Sequence, residues 1–456
     1  MRQPEARRGP RLRAPPTFRS LRHPNFRLLW ITSIFNAGSN WIQQVTLGYL
    51  AYDLTGSPLI AGIVFGMRAL PSLLIGPIGG VLGDRFERKR GVQIQSAYMA
   101  VLALCFALLL AVGHVHAWHI ILFTLLQGVG QALVGPVRQA MVANTVPRED
   151  LANAIALNSV AQNLMRVIGP SIAGLLIATS GPAVNFSIQS VAYVITFVLM
   201  LPLQTPYSNR PRRERGEGSL SDSFVQGFRY LRQQPTLQGL ILLALVPVLF
   251  TTPINLGLLP VFAKEQLGVG GGGLGLLYSA QGIGAVFGTL MLASFSGLRR
   301  KGLLLSIAIV GLTVAITCYS QLHSLLAAMP VLALATCCFM TFQTLNQTII
   351  QTVTPDEYLG RVMGFRMMDQ GLQPAGSLLF GTVAEIYGIQ TAIIAAGICA
   401  MVSVTALLAL FPSIRHYRSA LVEASHVTAP PGPAGVPSGT AATPAPDVAV
   451  AARPVR

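Results

Sequence analysis

Apolar stretches of about 20 residues recur along this chain, each long enough to cross a bilayer as a helix, with short polar gaps between them. Twelve spans are predicted, at about 26–52, 58–83, 91–112, 118–143, 153–180, 182–203, 236–264, 271–296, 301–320, 324–352, 360–387 and 389–412. No secretory cleavage pattern follows the first apolar block, which is too long and too polar on one face for a signal sequence and is read as a retained span.

The longest polar insertion, 204–235, separates the sixth span from the seventh. Its first part is charged. Its second part places Phe224, Phe228 and Leu231 at helical spacing beside Arg229 and Arg232, which predicts a short amphipathic helix on the inner surface. Thr145-Val146-Pro147-Arg148-Glu149-Asp150-Leu151 after the fourth span returns about 200 residues later as Val353-Thr354-Pro355-Asp356-Glu357-Tyr358-Leu359 after the tenth. The chain therefore reads as a duplicated unit: an all-α membrane protein with twelve transmembrane helices in two pseudo-symmetric six-helix bundles. Its expected parts are a disordered basic N-terminus (1–20), a first bundle (21–203), a cytoplasmic linker (204–235), a second bundle (236–418) and a disordered Ala/Pro-rich tail (419–456). Two parallel repeats of six spans are the layout of a rocking transporter, with its substrate site near the midplane between them.

Charge sets the orientation. Basic residues collect in every second gap, and Lys264 is the single Lys or Arg that falls in a gap on the opposite side. Basic loops stay in the cytoplasm, so both termini are expected inside, in a bacterial cytoplasmic membrane. Charged residues are 11% of the chain, against about 25% in a soluble domain. The deficit means lipid faces most of the surface. A net charge of +16 does not point to nucleic acid here, because the basic residues sit at span ends where anionic headgroups attract them. Cys105, Cys318, Cys337, Cys338 and Cys399 lie inside apolar blocks and read as small core residues. His114, His116 and His119 share one short gap without further ligands, so no metal site is expected. No phosphate loop of the G-x-x-x-x-G-K-[ST] type occurs, which leaves an ion gradient as the energy source, with no cofactor.

The loop after the second span reads Gly80-Val81-Leu82-Gly83-Asp84-Arg85-Phe86-Glu87-Arg88-Lys89-Arg90, close to G-x-L-x-D-R-x-G-R-K with Glu87 in place of the last glycine. A plain basic loop needs neither Asp84 nor the glycine spacing. Gly80, Asp84, Arg85, Arg88 and Lys89 are the candidate gating motif. The fifth span holds Arg166-Val167-Ile168-Gly169-Pro170-Ser171-Ile172-Ala173-Gly174, similar to the G-P-x-x-G-G element of antiporters, with Gly169, Pro170 and Gly174 matched. Pro170 frees a carbonyl and bends the helix, and the small residues permit close packing. Together these features resemble the major facilitator superfamily. Trp41-Ile42-Gln43-Gln44-Val45 and Leu54-Thr55-Gly56-Ser57-Pro58 look like its branch that holds the enterobactin exporter and macrolide efflux proteins. The resemblance covers about residues 20–415 and implies proton-driven export of a small organic molecule. It also implies an arginine in the fourth span, three residues before Gln127-Gly128, where this chain has Thr124.

Arg68, Arg166, Arg366 and Asp369 lie within spans. An arginine at the bilayer centre costs about 2.5–3.5 kcal/mol, so each is expected to face a partner or a wet cavity. Arg166 falls roughly 20 Å along its helix, near the midplane, on one stripe with Asn158 and Gln162. It is the candidate central charge, for an anionic substrate or for coupling, with a structural anchor as the alternative. Arg366 and Asp369 are placed to neutralise each other, and Asp369 is the candidate proton carrier. Arg68 lies towards the outer side, and an outer gate with Asp53 or Glu385 is weighed against simple snorkelling. Asn36, Asn40, Gln43 and Gln44, then Gln127 and Gln131, then Gln343, Asn346, Gln347 and Gln351 form polar stripes on the first, fourth and tenth spans. They are expected to line a central cavity, with interhelical hydrogen bonding as the alternative. The expected partners are a small-molecule substrate, protons and the bilayer, with no nucleic acid, and a monomer. The rivals are an importer of the same fold and a non-transport membrane scaffold or enzyme. The second predicts catalytic residues clustered in loops, and none are found.

Overall fold

The computed structural model describes residues 16–71, 88–207, 220–294, 300–355, 358, 362–363, 365–366 and 368–415. Among them, nine helices are long and apolar enough to cross a membrane. Large apolar side chains stand exposed around the outside, among them Leu108, Leu175, Phe287 and Leu410. Water would penalise such a surface and lipid does not.

Most elements follow the predicted spans within a few residues; of the second span, α-helix is described over Pro58–Met67, and in the eleventh a 3₁₀ turn at Met368–Leu372 precedes a helix that begins at Gln373. The first bundle comprises α1 (Pro24–Thr55), α2 (Pro58–Met67), α3 (Arg88–Val112), α4 (Ala117–Thr145), α5 (Leu151–Ser180) and α6 (Pro182–Met200). The linker helix is α7 (Leu220–Gln233). The second bundle comprises α8 (Pro235–Val246) and α9 (Leu259–Glu265) within the seventh span, α10 (Gly271–Ser294), α11 (Lys301–Tyr319), α12 (Leu325–Val353), α13 (Gln373–Tyr387) and α14 (Ile389–Leu410). Both described chain ends lie at one end of the bundle, here the terminal end; the tight turns at 56–57, 181 and 388 mark the far end.

Local chemistry sets those turns. Gly56 takes the left-handed conformation (φ 61°) that stops α1, and its N–H bonds back to the Tyr52 carbonyl at 2.9 Å. Ser57 then caps α2, its hydroxyl accepting from the Ile60 N–H at 3.2 Å, with Pro58 at the first helical position. The sharpest sign of duplication is Gly181 against Gly388. Both stand at φ near 80° with extended ψ (82°, 169° and 84°, 160°), and each joins the fifth to the sixth helix of its half. Only glycine takes that backbone cheaply.

Two segments differ from expectation. Residues 16–22 are not disordered: they form a 3₁₀ turn docked on the loop between α4 and α5. Asp150 is buried there, and it holds Arg19 at 2.7 Å and His23 at 2.8 Å while its carbonyl accepts from the Ser20 hydroxyl. A buried carboxylate needs such partners. The linker helix α7 also does more than lie on a surface. Tyr230 stacks on Tyr358 (centroids 4.3 Å apart, 7° between planes), and Phe228 sits 6.3 Å from Phe365. Its apolar side therefore packs against the second bundle.

Candidate functional site: a cavity between the halves

The two bundles meet along pairs of helices with almost no side chains between them. In α5 and α10, a Cβ on Gly174 would lie 2.6 Å from the Gly271 carbonyl oxygen, and one on Gly275 would lie 2.7 Å from the Pro170 carbonyl oxygen. Ser279 donates to the Val167 carbonyl at 3.0 Å and faces the Ser171 hydroxyl at 2.5 Å. In α2 and α13, a Cβ on Gly62 would lie 2.6 Å from the Ser377 carbonyl oxygen. Gly48 of α1 faces Pro260 of α9 in the same way. Among the described residues, the cross-half hydrogen bonds and ion pairs lie between the level of Arg166 and the far end. Among the described residues the halves are joined there, and towards the terminal end Gln162 and Gln347 are exposed.

Polar latches finish the far end. Lys264 bonds Asp53 at 2.6 Å, and the Tyr52 hydroxyl donates to Glu265 at 2.5 Å. Glu385 of α13 accepts from the Ser57 hydroxyl at 2.7 Å and from the Leu59 N–H at 3.1 Å, so it caps α2 from across the interface. Asp53 and Glu385 both make contacts between the halves at this end, and Arg68 is the partner of neither. Arg68 lies about 15 Å further along the helix, too deep to reach Glu385. It donates instead to Gln44 at 2.9 Å and to Asn40. Each exposed latch is worth about 0.2–1 kcal/mol. Asp53→Asn combined with Glu385→Gln is therefore expected to raise labelling of a cysteine placed at Leu256 two- to fivefold. The reagent is an impermeant maleimide added from the far side of a variant without native cysteines. Unchanged labelling would remove the latch role.

Where the joined part ends, a partly open cavity lies at the midplane, with about 480 Å³ of empty space when its solvent-open mouth is included. Trp41 of α1 and Arg166 of α5 form its first-bundle wall. Arg166 is in the middle of a helix of 30 residues. Its guanidinium carbon sits 5.2 Å from the Trp41 ring centroid, and one nitrogen approaches the Met340 sulfur at 3.3 Å. Pro170, lacking an N–H, leaves the Arg166 carbonyl without its helical partner, and that oxygen points at Gly282, where a Cβ would come within 2.7 Å. The second bundle supplies Thr251, Thr252 and Asn255 from the seventh span, with Tyr278 and Gln281 from α10 and Thr336, Phe339 and Met340 from α12.

The seventh span is irregular for a reason legible in the chain. Pro247 and Pro253 lack N–H groups, and the helix widens over Pro247–Thr251 and Pro253–Gly257, with the Leu258 N–H reaching the Pro253 carbonyl at 2.9 Å. That widening turns Thr251, Thr252 and Asn255 into the cavity. Stripe reading missed them because short hydroxyl side chains leave no marked polar stripe. The interruption of an apolar span by prolines was the available signal. A smaller adjoining cavity of about 310 Å³ shares Leu256 and is lined by Arg68, Gln44 and Thr124. The arginine expected at Thr124 is absent, and the guanidinium beside that position comes from α2.

The other predicted residues separate. Gln43 does not face the cavity: it is buried within the first bundle and bonds Gln189 of α6. Asn346 likewise donates to the Leu240 carbonyl at 2.9 Å, a bond inside the second bundle. Their stripes follow the helix, but the bundle interior begins one residue away from the cavity wall. Gln127, Gln131 and Asn36 keep buried amide atoms without a partner among the described residues, and none of them lines either cavity. Gln343 accepts from Arg366 at 2.5 Å, and Arg366 forms an ion pair with Asp369, which is 3% exposed. Gly169 packs against Trp41, and Gly174 against Gly271 and Gly275, so the antiporter-like element forms the seam behind Arg166. Arg138 of α4 falls inside the span predicted at 118–143 and was passed over among the charges within spans. Its two terminal nitrogens are buried without partners among the described residues. Arg88 and Lys89 open α3, with Lys89 donating to the Leu201 carbonyl at 2.9 Å. Gly80, Asp84 and Arg85 lie outside the described residues.

Known proteins of similar sequence and shape agree with this construction. An enterobactin exporter of Escherichia coli is 27% identical over 399 residues, spanning 87% of this chain and 94% of that protein. A staphyloferrin A transporter of Staphylococcus aureus is 24% identical over 359 residues, 77% of this chain and 87% of its own. The nucleoside transporter NupG has a similar fold, with a TM-score of 0.65 at 13% identity over 85% of this chain and 99% of that one. So does a bacterial homologue of the human lysosomal transporter Spinster, in an inward-facing and occupied conformation, with a TM-score of 0.67 at 14% identity over 88% and 99%. A family profile described as transmembrane secretion effector matches residues 16–434. By that match, and by a fold shared with these transporters, the chain belongs to the transmembrane secretion effector family of the major facilitator superfamily and is a multi-pass secondary transporter, not an enzyme.

Proposed function

We propose that this transporter exports a small, siderophore-like or drug-like organic molecule from the cytoplasm in exchange for protons, by alternating access and as a monomer. One observation carries the reading: a cavity at the midplane that sets Arg166, Asn255 and Gln281 among aromatic and apolar side chains, with the described contacts between the two halves on one side of it. In a duplicated bundle, rocking the halves about such a site exposes it to one face and then the other. The basic loops support a cytoplasmic terminal end, and on that reading the substrate loads from inside. The family description, and relatives named as an exporter of enterobactin and a transporter of staphyloferrin A, support outward carriage of molecules of that kind. The cavity walls come from one chain, which supports a monomer. Asp369 is the proposed proton carrier, since among the described residues it is the carboxylate buried within a span.

Inside-out vesicles with an imposed pH gradient test the direction. Enterobactin, staphyloferrin A and a macrolide are offered in turn. The expected result is accumulation of one of them driven by an acid lumen and abolished by a protonophore. Accumulation that instead requires an acid exterior of right-side-out vesicles would make the protein an importer.

A further inference from the structure

Among the described residues, nothing cancels the positive charge that the central cavity carries. Arg166 has two neighbours for its guanidinium, an indole face and a thioether sulfur at 3.3 Å, and both are weak partners for a cation. Among the described residues no carboxylate lies within ion-pair distance of it. The adjoining cavity repeats the pattern: Arg68 is held by the neutral amides of Asn40 and Gln44. Arg166 and Arg68 are the charged side chains lining the two cavities, and neither lining includes an acid. Arg366, by contrast, is neutralised by Asp369, and Arg138, whose terminal nitrogens also have no partner among the described residues, lines neither cavity. Leaving two guanidiniums without acids at the midplane is costly in lipid and is sustained where a ligand supplies the missing charge.

The rest of the wall selects what carries that charge. Trp41, Tyr278 and Phe339 present rings, and Met340 adds an adaptable apolar surface. Thr251 and Asn255 offer hydrogen bonds, the Asn255 side-chain oxygen having no partner among the described residues. The geometry points to an organic anion, a carboxylate joined to an aromatic ring, as the class of molecule this cavity takes. Its carboxylate pairs with the free donors of Arg166, whose rigid fork suits two parallel hydrogen bonds. Its ring lies among Trp41, Tyr278 and Phe339. This rests on the cavity being the transport site.

Trp41 makes the inference measurable, because the chain has three tryptophans. Trp118 is exposed at the far end, and Trp30 bonds the Leu157 carbonyl towards the terminal end. Trp30→Phe with Trp118→Phe leaves Trp41 as the sole reporter in the full chain, reconstituted in lipid nanodiscs. Three probes of matched size are titrated: 4-phenylbutyrate, its neutral amide and 4-phenylbutylammonium. The expected result is saturable Trp41 quenching by the acid, at least about tenfold tighter than by the amide, with the ammonium weakest. Arg166→Gln removes the acid's advantage, and Arg166→Lys, which keeps the charge and loses the fork, retains part of it. Equal affinity for acid and amide, tighter binding of the ammonium, an acid preference that survives Arg166→Gln in folded protein, or no quenching by any probe would each overturn the proposal. Failure here with gradient-driven export of a neutral or cationic compound intact removes the anion class alone. Acid binding without gradient-driven movement removes the proton-driven reading and leaves the anion site standing.

Discussion

Gly275→Val abolishes transport and leaves the far end open, while Gly272→Val, three residues earlier on α10, is tolerated. The contrast comes from what a side chain meets at each position. At Gly275 the first carbon lands 2.7 Å from the Pro170 carbonyl oxygen and 2.9 Å from the Gly174 Cα. Both are backbone, and neither can swing aside. At Gly272 the nearest atom is the Ala178 Cβ at 3.8 Å, an ordinary contact. Overpacking costs about 1–3 kcal/mol where neighbours can adjust, and more where they cannot. A shift of about 3 kcal/mol against the joined state lowers its population more than a hundredfold. The bundles can still fold separately, so the variant is expected in the membrane at normal amounts. The readout is maleimide labelling at position 256 from the far side, together with vesicle transport. Normal transport by Gly275→Val would show that the α5–α10 seam need not close.

Arg366→Gln costs about 3–5 kcal/mol of stability, because it strips a buried carboxylate of its cation. Asp369 is 3% exposed and already has one side-chain oxygen without a hydrogen-bond partner. The eleventh span is broken beside it, with a 3₁₀ turn at Met368–Leu372 before Pro374 restarts the helix. That leaves no regular helix to absorb an unpaired charge. Thermal unfolding followed by size-exclusion fluorescence should therefore show a large loss for Arg366→Gln, and recovery of most of it on adding Asp369→Asn. The double variant also tests coupling. If Asp369 carries the proton, the restored protein binds ligand but no longer responds to a pH gradient. A stable single variant would mean the pair contributes little, and a gradient-responsive double variant would move the proton elsewhere.

Much of the molecule was legible in the order of residues. Span positions came from the length of apolar runs, since every backbone group in lipid must bond within its own helix and about 20 residues are needed to cross. Gly181 and Gly388 end their helices because their own backbone angles require it. Arg166 could be set in the middle of its helix because depth along a helix is simple arithmetic on residue count, and in the structure it lines the cavity. The identity of neighbours was not readable in this way. Gln43 and Gln44 are adjacent, yet one is locked onto Gln189 inside the first bundle and the other holds Arg68 at the cavity.

What one residue's position in sequence establishes is its height in the membrane and its angle around its own helix. Which helix stands across from it depends on how the two bundles lean together, through contacts between residues far apart in the chain. Hence Arg68, expected to meet Asp53 or Glu385, binds Asn40 and Gln44, while Asp53 takes Lys264 and Glu385 caps α2. The seventh span shows the same division: its prolines widen the helix and turn Thr251, Thr252 and Asn255 to one side, and packing of the bundles sets that side against Arg166. Height and angle are local properties of a hydrogen-bonded helix, whereas the cavity is made by two bundles meeting backbone to backbone at Gly62, Gly174 and Gly275.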